Sequence, residues 1–324
     1  MRLPWAVFAR HLAASRKPII VGPWRSEVGF EVLYWLPFLC RFREQYRISR
    51  DRLIAIGRGG SADWYDTAGR ADLFEHLPVE VVRTLSVQAS QQTGSMKQHA
   101  DEGWERHVCA LTALSLGIRD YHVLSPTWMY QRLAPWWTGQ QPIAWLDQHL
   151  LQPVKLAAPP VPAELAVKLP KSYVAMRWYS RPTWPLHEKS VLWMRDLVKR
   201  VAEKQPVVLL TNGFHTDDHA DMELGEIPNT FRLHQLAGPM MTHLNNLSIQ
   251  SGVIAGASAY VGTYGGLAQG AMRWGVPTVA LYETFGQTSP AHLALTQGLS
   301  LRTGVPFVAC RPADIDGALS LVVR

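Results

Sequence analysis

Apolar positions along the chain fall into two alternating rhythms. In the first half, short apolar runs at residues 18–21, 53–56, 80–85 and 121–124 predict strands. Stretches of helical period at 29–45, 62–77 and 101–116 lie between them. The second half repeats the rhythm with strands at 173–176, 207–210, 230–233, 259–261, 278–281 and 306–309. Helices are expected there at 188–203, 244–257, 267–274, 290–298 and 313–322. Strands that stay apolar on both faces belong to parallel sheets covered by helices, so the pattern predicts an α/β protein. Pro153, Pro159, Pro160, Pro162 and Pro170 interrupt residues 152–170, where periodicity fades. Proline fixes φ and removes a donor, so this stretch reads as the boundary between an N-terminal lobe, 1–155, and a C-terminal lobe, 156–324. Two Rossmann-like lobes so joined would bind ligands in a cleft at the carboxyl ends of their strands.

Composition narrows the classes. Of 324 residues, 47% are apolar and 18% charged, which excludes a disordered or fibrous chain. The formal charge of +6 favours anionic partners, but the basic residues are scattered rather than striped, so nucleic acid is not expected. Cys40, Cys109 and Cys310 lie far apart and encode neither a disulfide framework nor a cysteine-rich zinc site, which fits a reducing, intracellular home. No run reaches the ~20 apolar residues of a membrane span; the nearest, 28–40, contains Glu31 and Pro37. The N-terminus sets Arg2 and Arg10 around Leu3, Trp5, Val7 and Phe8 without a small-residue cleavage site. It is expected to pack on its own domain, with peripheral membrane contact as the second reading.

Three segments carry candidate chemistry. The strand ending near Gly262 runs into Thr263, Tyr264, Gly265 and Gly266 and then a helix of small residues, closing on Gly275-Val-Pro-Thr-Val-Ala. Helix-start amides facing outward at glycines form an anion site, and phosphate suits it. The strand 173–176 delivers Arg177 to its carboxyl end and Arg181 to the loop beyond, with Trp178, Tyr179 and Trp184 beside them. Guanidinium groups give charge-assisted, bidentate bonds to phosphate. The first strand ends in Gly22-Pro23, followed by Trp24, Arg25, Ser26, Glu27, Val28, Gly29, Phe30 and Glu31 and a helix that reaches Leu36-Pro37. Asn212, Ser248 and Glu283 are weaker candidates for contacting nucleotide or sugar. Metal chemistry is not expected. The single Asp-x-Asp triplet, Asp314-Ile-Asp316, opens a helix, and His215 and His219 lack a helical frame. A Gly-x-x-x-x-Gly-Lys-Ser/Thr loop and a Gly-x-Ser-x-Gly elbow are both missing, which argues against those ATPases and hydrolases.

The run from Thr263 to Ala280 resembles the donor-binding segment of GT-B glycosyltransferases, notably heptosyltransferase-like and fucosyltransferase-like enzymes, and the strand bearing Arg177 resembles a fucosyltransferase-like element. The resemblance covers the second lobe well and the first at one loop. It implies a GT-B architecture and transfer of a sugar from a nucleotide-sugar co-substrate to a hydroxyl of a glycan or lipid-linked acceptor, in surface polysaccharide or glycolipid assembly. It also implies that Arg177, Arg181, Thr263, Tyr264, Gly265 and Gly266 hold the diphosphate, and that Trp24, Arg25 and Gly29 lie on the acceptor loop. Glu31, counted back from Pro37, falls where those enzymes place an acid. Phe30 separates it from Gly29, however, and Glu27 precedes the glycine, so both are candidate bases for an inverting reaction without metal. The implied location is cytoplasmic, with peripheral contact at the inner membrane face. A same-fold epimerase or pyruvyltransferase, and a non-catalytic sugar or nucleotide binder, are the competing readings.

Overall fold

The computed structural model describes residues 4–85, 103–152, 155–180, 184–185, 187–214, 222, 224–284 and 289–323. These divide into two compact units. One takes Met1–Pro153 with His243–Ser248, the other Val154–Thr242 with Ile249–Arg324. Among the described residues no helix is long and apolar enough to cross a membrane.

The first unit is a four-stranded sheet of β1 (Ile19–Val21), β2 (Leu53–Gly57), β3 (Gly69–Asp72) and β4 (His122–Leu124). Its order is β3-β2-β1-β4 and every pairing is parallel. Ile20, Ile56, Ala71, Val108 and Cys109 form part of its core. The helix after β1 runs as α-helix over Val28–Phe30, π-helix over Glu31–Trp35 and α-helix over Leu36–Tyr46. A π turn accommodates one extra residue. It stands directly before Leu36-Pro37, where the motif carries the additional Phe30, and all five of its side chains are buried.

The second unit is a six-stranded parallel sheet of β5 (Val174–Arg177), β6 (Val207–Leu209), β7 (Thr230–Arg232), β8 (Ala259–Thr263), β9 (Thr278–Leu281) and β10 (Phe307–Cys310). Its order is β10-β9-β8-β5-β6-β7. Numbered from β5, this is the 3-2-1-4-5-6 arrangement of a Rossmann fold, and the first sheet is its initial four strands. Helices Glu188–Ala202, Asn246–Ala255, Gly266–Arg273, Pro290–Thr303 and Ile315–Val322 alternate with the strands. The α/β reading therefore holds.

Two local expectations fail. Residues 62–77 form no long helix: a 3-10 turn at Ser61–Trp64 leads into β3 and a second 3-10 turn at Leu73–Glu75. A Cβ on Gly69 would lie 2.8 Å from Ile54 Cγ1, so glycine lets β3 close against β2, and strand pairing overrides the helix-like spacing. Residues 80–85 belong to a helix over 79–85 instead of a strand. Pro78 opens it, its carbonyl accepting the N–H groups of Val81 and Val82, and Val82 alone is buried in the core. The β-branched composition of that run had concealed a one-sided pattern.

Candidate functional site

In each sheet the chain leaves the strand that comes first in sequence toward one edge and later returns on its other side. The second unit makes this switch between β5 and β8, the place where open parallel sheets bind ligands. Arg177 ends β5 in register with Gly262, and Thr263 ends β8. Thr263 Oγ1 accepts the Tyr179 amide at 3.3 Å, tying the two strand ends together. The buried Arg177 guanidinium donates to the Leu210 carbonyl oxygen and lies 6.0 Å from the centroid of the Tyr179 ring. The hydroxyl of the same tyrosine reaches the glycine turn, where a Cβ on Gly265 would stand 2.3 Å from Tyr179 Oη. Gly266 begins an eight-residue helix, so its first-turn amides have no partners within that helix. Tyr179 thus joins a permanent cation and a helix start at one strand-end crevice, and this array can bind an anion with several oxygens.

The first unit switches between β1 and β4. The loop after β1 begins with a cis Gly22-Pro23 bond. Arg25 is buried and its Nε donates to Glu105 Oε1 at 2.7 Å, with the guanidinium 5.7 Å from the Trp104 ring centroid. Tyr130 Oη donates to Ser26 Oγ at 2.9 Å. Glu27 follows, half-buried, and its backbone oxygen accepts the Glu31 amide. Glu31 is only 1% exposed. Ser61 Oγ and Tyr65 Oη both donate to its Oε1, at 2.8 and 2.6 Å. Burial lifts the Glu31 carboxyl to about 7 against the lowering pull of Tyr65, Ser61 and Arg58. Asp72 is likewise raised by burial to about 6, although the Gly60 amide donates to it at 2.7 Å. Of the two candidate acids, Glu27 meets the surface and Glu31 anchors the interior.

The other expected residues separate. Trp24 lies wholly inside, stacked on Trp35 and Tyr130, and Gly29 is buried in the helix start. Trp178 and Trp184 also pack in the core of the second unit. Tyr264 turns inward, edge-on to Tyr282 and Phe307, and burial raises its hydroxyl to about 12. Asn212 is buried and its Oδ1 accepts from Gln250 Nε2 at 2.9 Å. Ser248 groups with the first unit and donates to Asp63 Oδ2 at 2.5 Å. Glu283 accepts from His187 Nε2 at 3.1 Å, while Nδ1 of that histidine accepts the Ser190 amide at a helix start. Arg181, His215 and His219 lie outside the described residues. Asp316 pairs with Arg200 at 2.8 Å, and no cluster of three His, Cys, Asp or Glu suited to a metal occurs among the described residues.

Sequence reading missed the partners of Glu31. The signal was present in Gly57-Arg58-Gly59-Gly60-Ser61, a glycine-rich turn at a strand end. Gly59 and Gly60 take left-handed φ of 63° and 82° there, and a Cβ on either would collide with Asn246 or Ser248.

No family model and no curated protein matches the chain. Among solved structures, a family 9 glycosyl transferase from Veillonella parvula is similar at 12% identity and a TM-score of 0.45, over 96% of this chain and 91% of that one. An E. coli ADP-heptose LPS heptosyltransferase II is similar at 15% identity and a TM-score of 0.47, over 94% and 98%. An E. coli heptosyltransferase with ADP is similar at 14% identity and a TM-score of 0.40, over 94% and 99%.

Proposed function

We propose that the protein is a glycosyltransferase that moves a sugar from a nucleoside-diphosphate donor to a hydroxyl acceptor in surface polysaccharide or glycolipid assembly. One observation carries the reading: Arg177 and the Gly265–Gly266 turn meet on Tyr179 at the switch point of a Rossmann sheet. The motif resemblance of the same residues adds to it. In this reading the second unit holds the donor diphosphate. As the glycosidic bond breaks, the electron pair goes to the leaving phosphate oxygen, and the guanidinium and helix-start amides stabilise that charge more than the ground state. No metal is needed for that neutralisation. Glu27 accepts the acceptor's hydroxyl proton as the oxygen attacks, inverting the anomeric centre. Glu27 is preferred over Glu31 because a base must reach the hydroxyl, and Glu31 is buried against Ser61 and Tyr65. The location expected with this function is cytoplasmic, at the inner membrane face.

The test is thermal unfolding with ADP, GDP, UDP, dTDP and CMP. A nucleotide at 100 times its Kd stabilises by about 2.7 kcal/mol, and Arg177→Gln should abolish the response without lowering the apo melting temperature by more than a few degrees. A wild-type chain indifferent to all five would remove the proposal.

A further inference from the structure

Glu27 stands on a loop, and one side chain from much later in the first unit grips that loop on both sides of it. Tyr130 belongs to the helix Thr127–Trp137, which follows β4, the strand beside β1 at the switch point. Its ring centroid lies 6.4 Å from that of Trp24, the rings nearly parallel, and 5.7 Å from that of Phe30. Those two aromatics stand three residues before and three residues after Glu27. Trp137 closes a third side at 5.3 Å. The Tyr130 hydroxyl donates to Ser26 Oγ at 2.9 Å, on the residue next to Glu27, and both partners are buried. Arg25, one position earlier, is buried as well and fixed to Glu105 at 2.7 Å. The side chains of residues 24, 25, 26 and 30 are therefore all anchored, which leaves the backbone bearing Glu27 one course. Glu27 is half-buried and acts electrostatically on the Tyr130 hydroxyl, which places its carboxylate near that oxygen.

Packing alone would be served by a phenylalanine at this position: the ring fills the space, and a buried hydroxyl is costly unless it is bonded. What the oxygen adds is direction. Burial pushes the Tyr130 hydroxyl above its ordinary value, so at neutral pH it stays protonated and keeps donating to Ser26. We infer that Tyr130 is a positioning residue that holds the Glu27 carboxylate in one orientation through Ser26. This deepens the glycosyltransferase reading and rests on its choice of Glu27 as the base. Misplacing a catalytic group by about 1 Å can cost about a hundredfold in rate, so a base carried on a loop gains directly from such a hold.

Tyr130→Phe tests this, because the ring packing survives and only the donor is lost. Full-length protein labelled with ¹³C at the glutamate carboxyl is compared by NMR at pH 8, Glu27→Gln identifying the Glu27 line. One narrow line is expected in the parent. Tyr130→Phe should shift that line and broaden it at least twofold, as the carboxylate samples several rotamers, while the melting temperature falls by no more than a few degrees. Ser26→Ala should do the same, and the double variant should go no further than either single one, since all three break one link. A Glu27 line unchanged in Tyr130→Phe, or changes that add in the double variant, overturns the inference. The signal is read without substrate, so this inference and the choice of Glu27 as the base fail on different measurements.

Discussion

Glu31 and Glu27 lie four residues apart, yet the fold gives them opposite environments. Glu31 is sealed against two hydroxyls, and burial raises it from an ordinary 4.5 to about 7, with Asp72 moving from 3.8 to about 6. In both cases the folded chain holds the proton more tightly than the unfolded one. Their contribution to stability is therefore complete below the unfolded values, falls as pH rises, and is lost above about 7. Glu31 accounts for roughly 3 kcal/mol of that decline. Glu31→Gln should melt on a flatter pH profile than the parent and gain on it by several degrees between pH 5 and pH 8. A parallel pair of profiles would mean the carboxyl is not held in the interior. On activity the order reverses: Glu27→Gln should lose two to four orders of magnitude in sugar transfer, and Glu31→Gln far less. Equal turnover in Glu27→Gln and the parent would discard Glu27 as the base. Sequence located both acids but not their roles, because those depend on Ser61 and Tyr65, which stand 30 and 34 positions beyond Glu31. The Arg25–Glu105 pair, 80 positions apart, was invisible for the same reason.

At the level of elements, the strand-to-helix passage Thr263–Gly266 works by the absence of a side chain. Gly265 has φ 167°, an extended conformation open to any residue, so its constraint is space. A methyl there strikes the Tyr179 hydroxyl at 2.3 Å and pushes the ring from beneath Arg177. Gly265→Ala should leave the melting temperature of the apo protein within a few degrees and weaken nucleoside diphosphate binding at least tenfold. Adding Tyr179→Phe, which removes the obstructing oxygen, should restore part of the loss; calorimetric titration of the parent and the two variants measures it. Failure of the second substitution to recover any binding would show that the two residues act separately. The central strands of the second sheet were legible because they are buried on both faces and read as largely apolar runs. β3 was not: Gly69-Arg-Ala-Asp72 has no strand composition, and only its pairing with β2 makes it one. The helix Thr127–Trp137 also escaped notice, since Pro135 stands inside it.

For the molecule as a whole, two sheets share one winding order but carry different chemistry at their switch points, a carboxylate in the first and a guanidinium with helix-start amides in the second. Nucleotide should therefore act locally. In hydrogen exchange, a saturating diphosphate is expected to slow amides in 174–180 and 259–273, while those of β2 and β3 exchange as before. Equal protection of the first sheet would mean that the nucleotide engages the first unit too. The α/β class followed from alternation alone, whereas the composition of the units did not: a periodic pattern reports neighbours along the chain and is silent on which distant segment fills a gap.

That gap has a practical corollary. Leu247 and Ser248 give their amides to the Gly59 carbonyl, and the Ser248 hydroxyl reaches Asp63, so a hexapeptide from late in the chain is stitched into the early half. A single cut in the proline-rich connector cannot release that half intact. An amino-terminal fragment ending there would expose the Gly59–Gly60 turn, and it would need the peptide 243–248 returned in trans, or grafted onto its own tail, before it could fold as it does in the complete polypeptide.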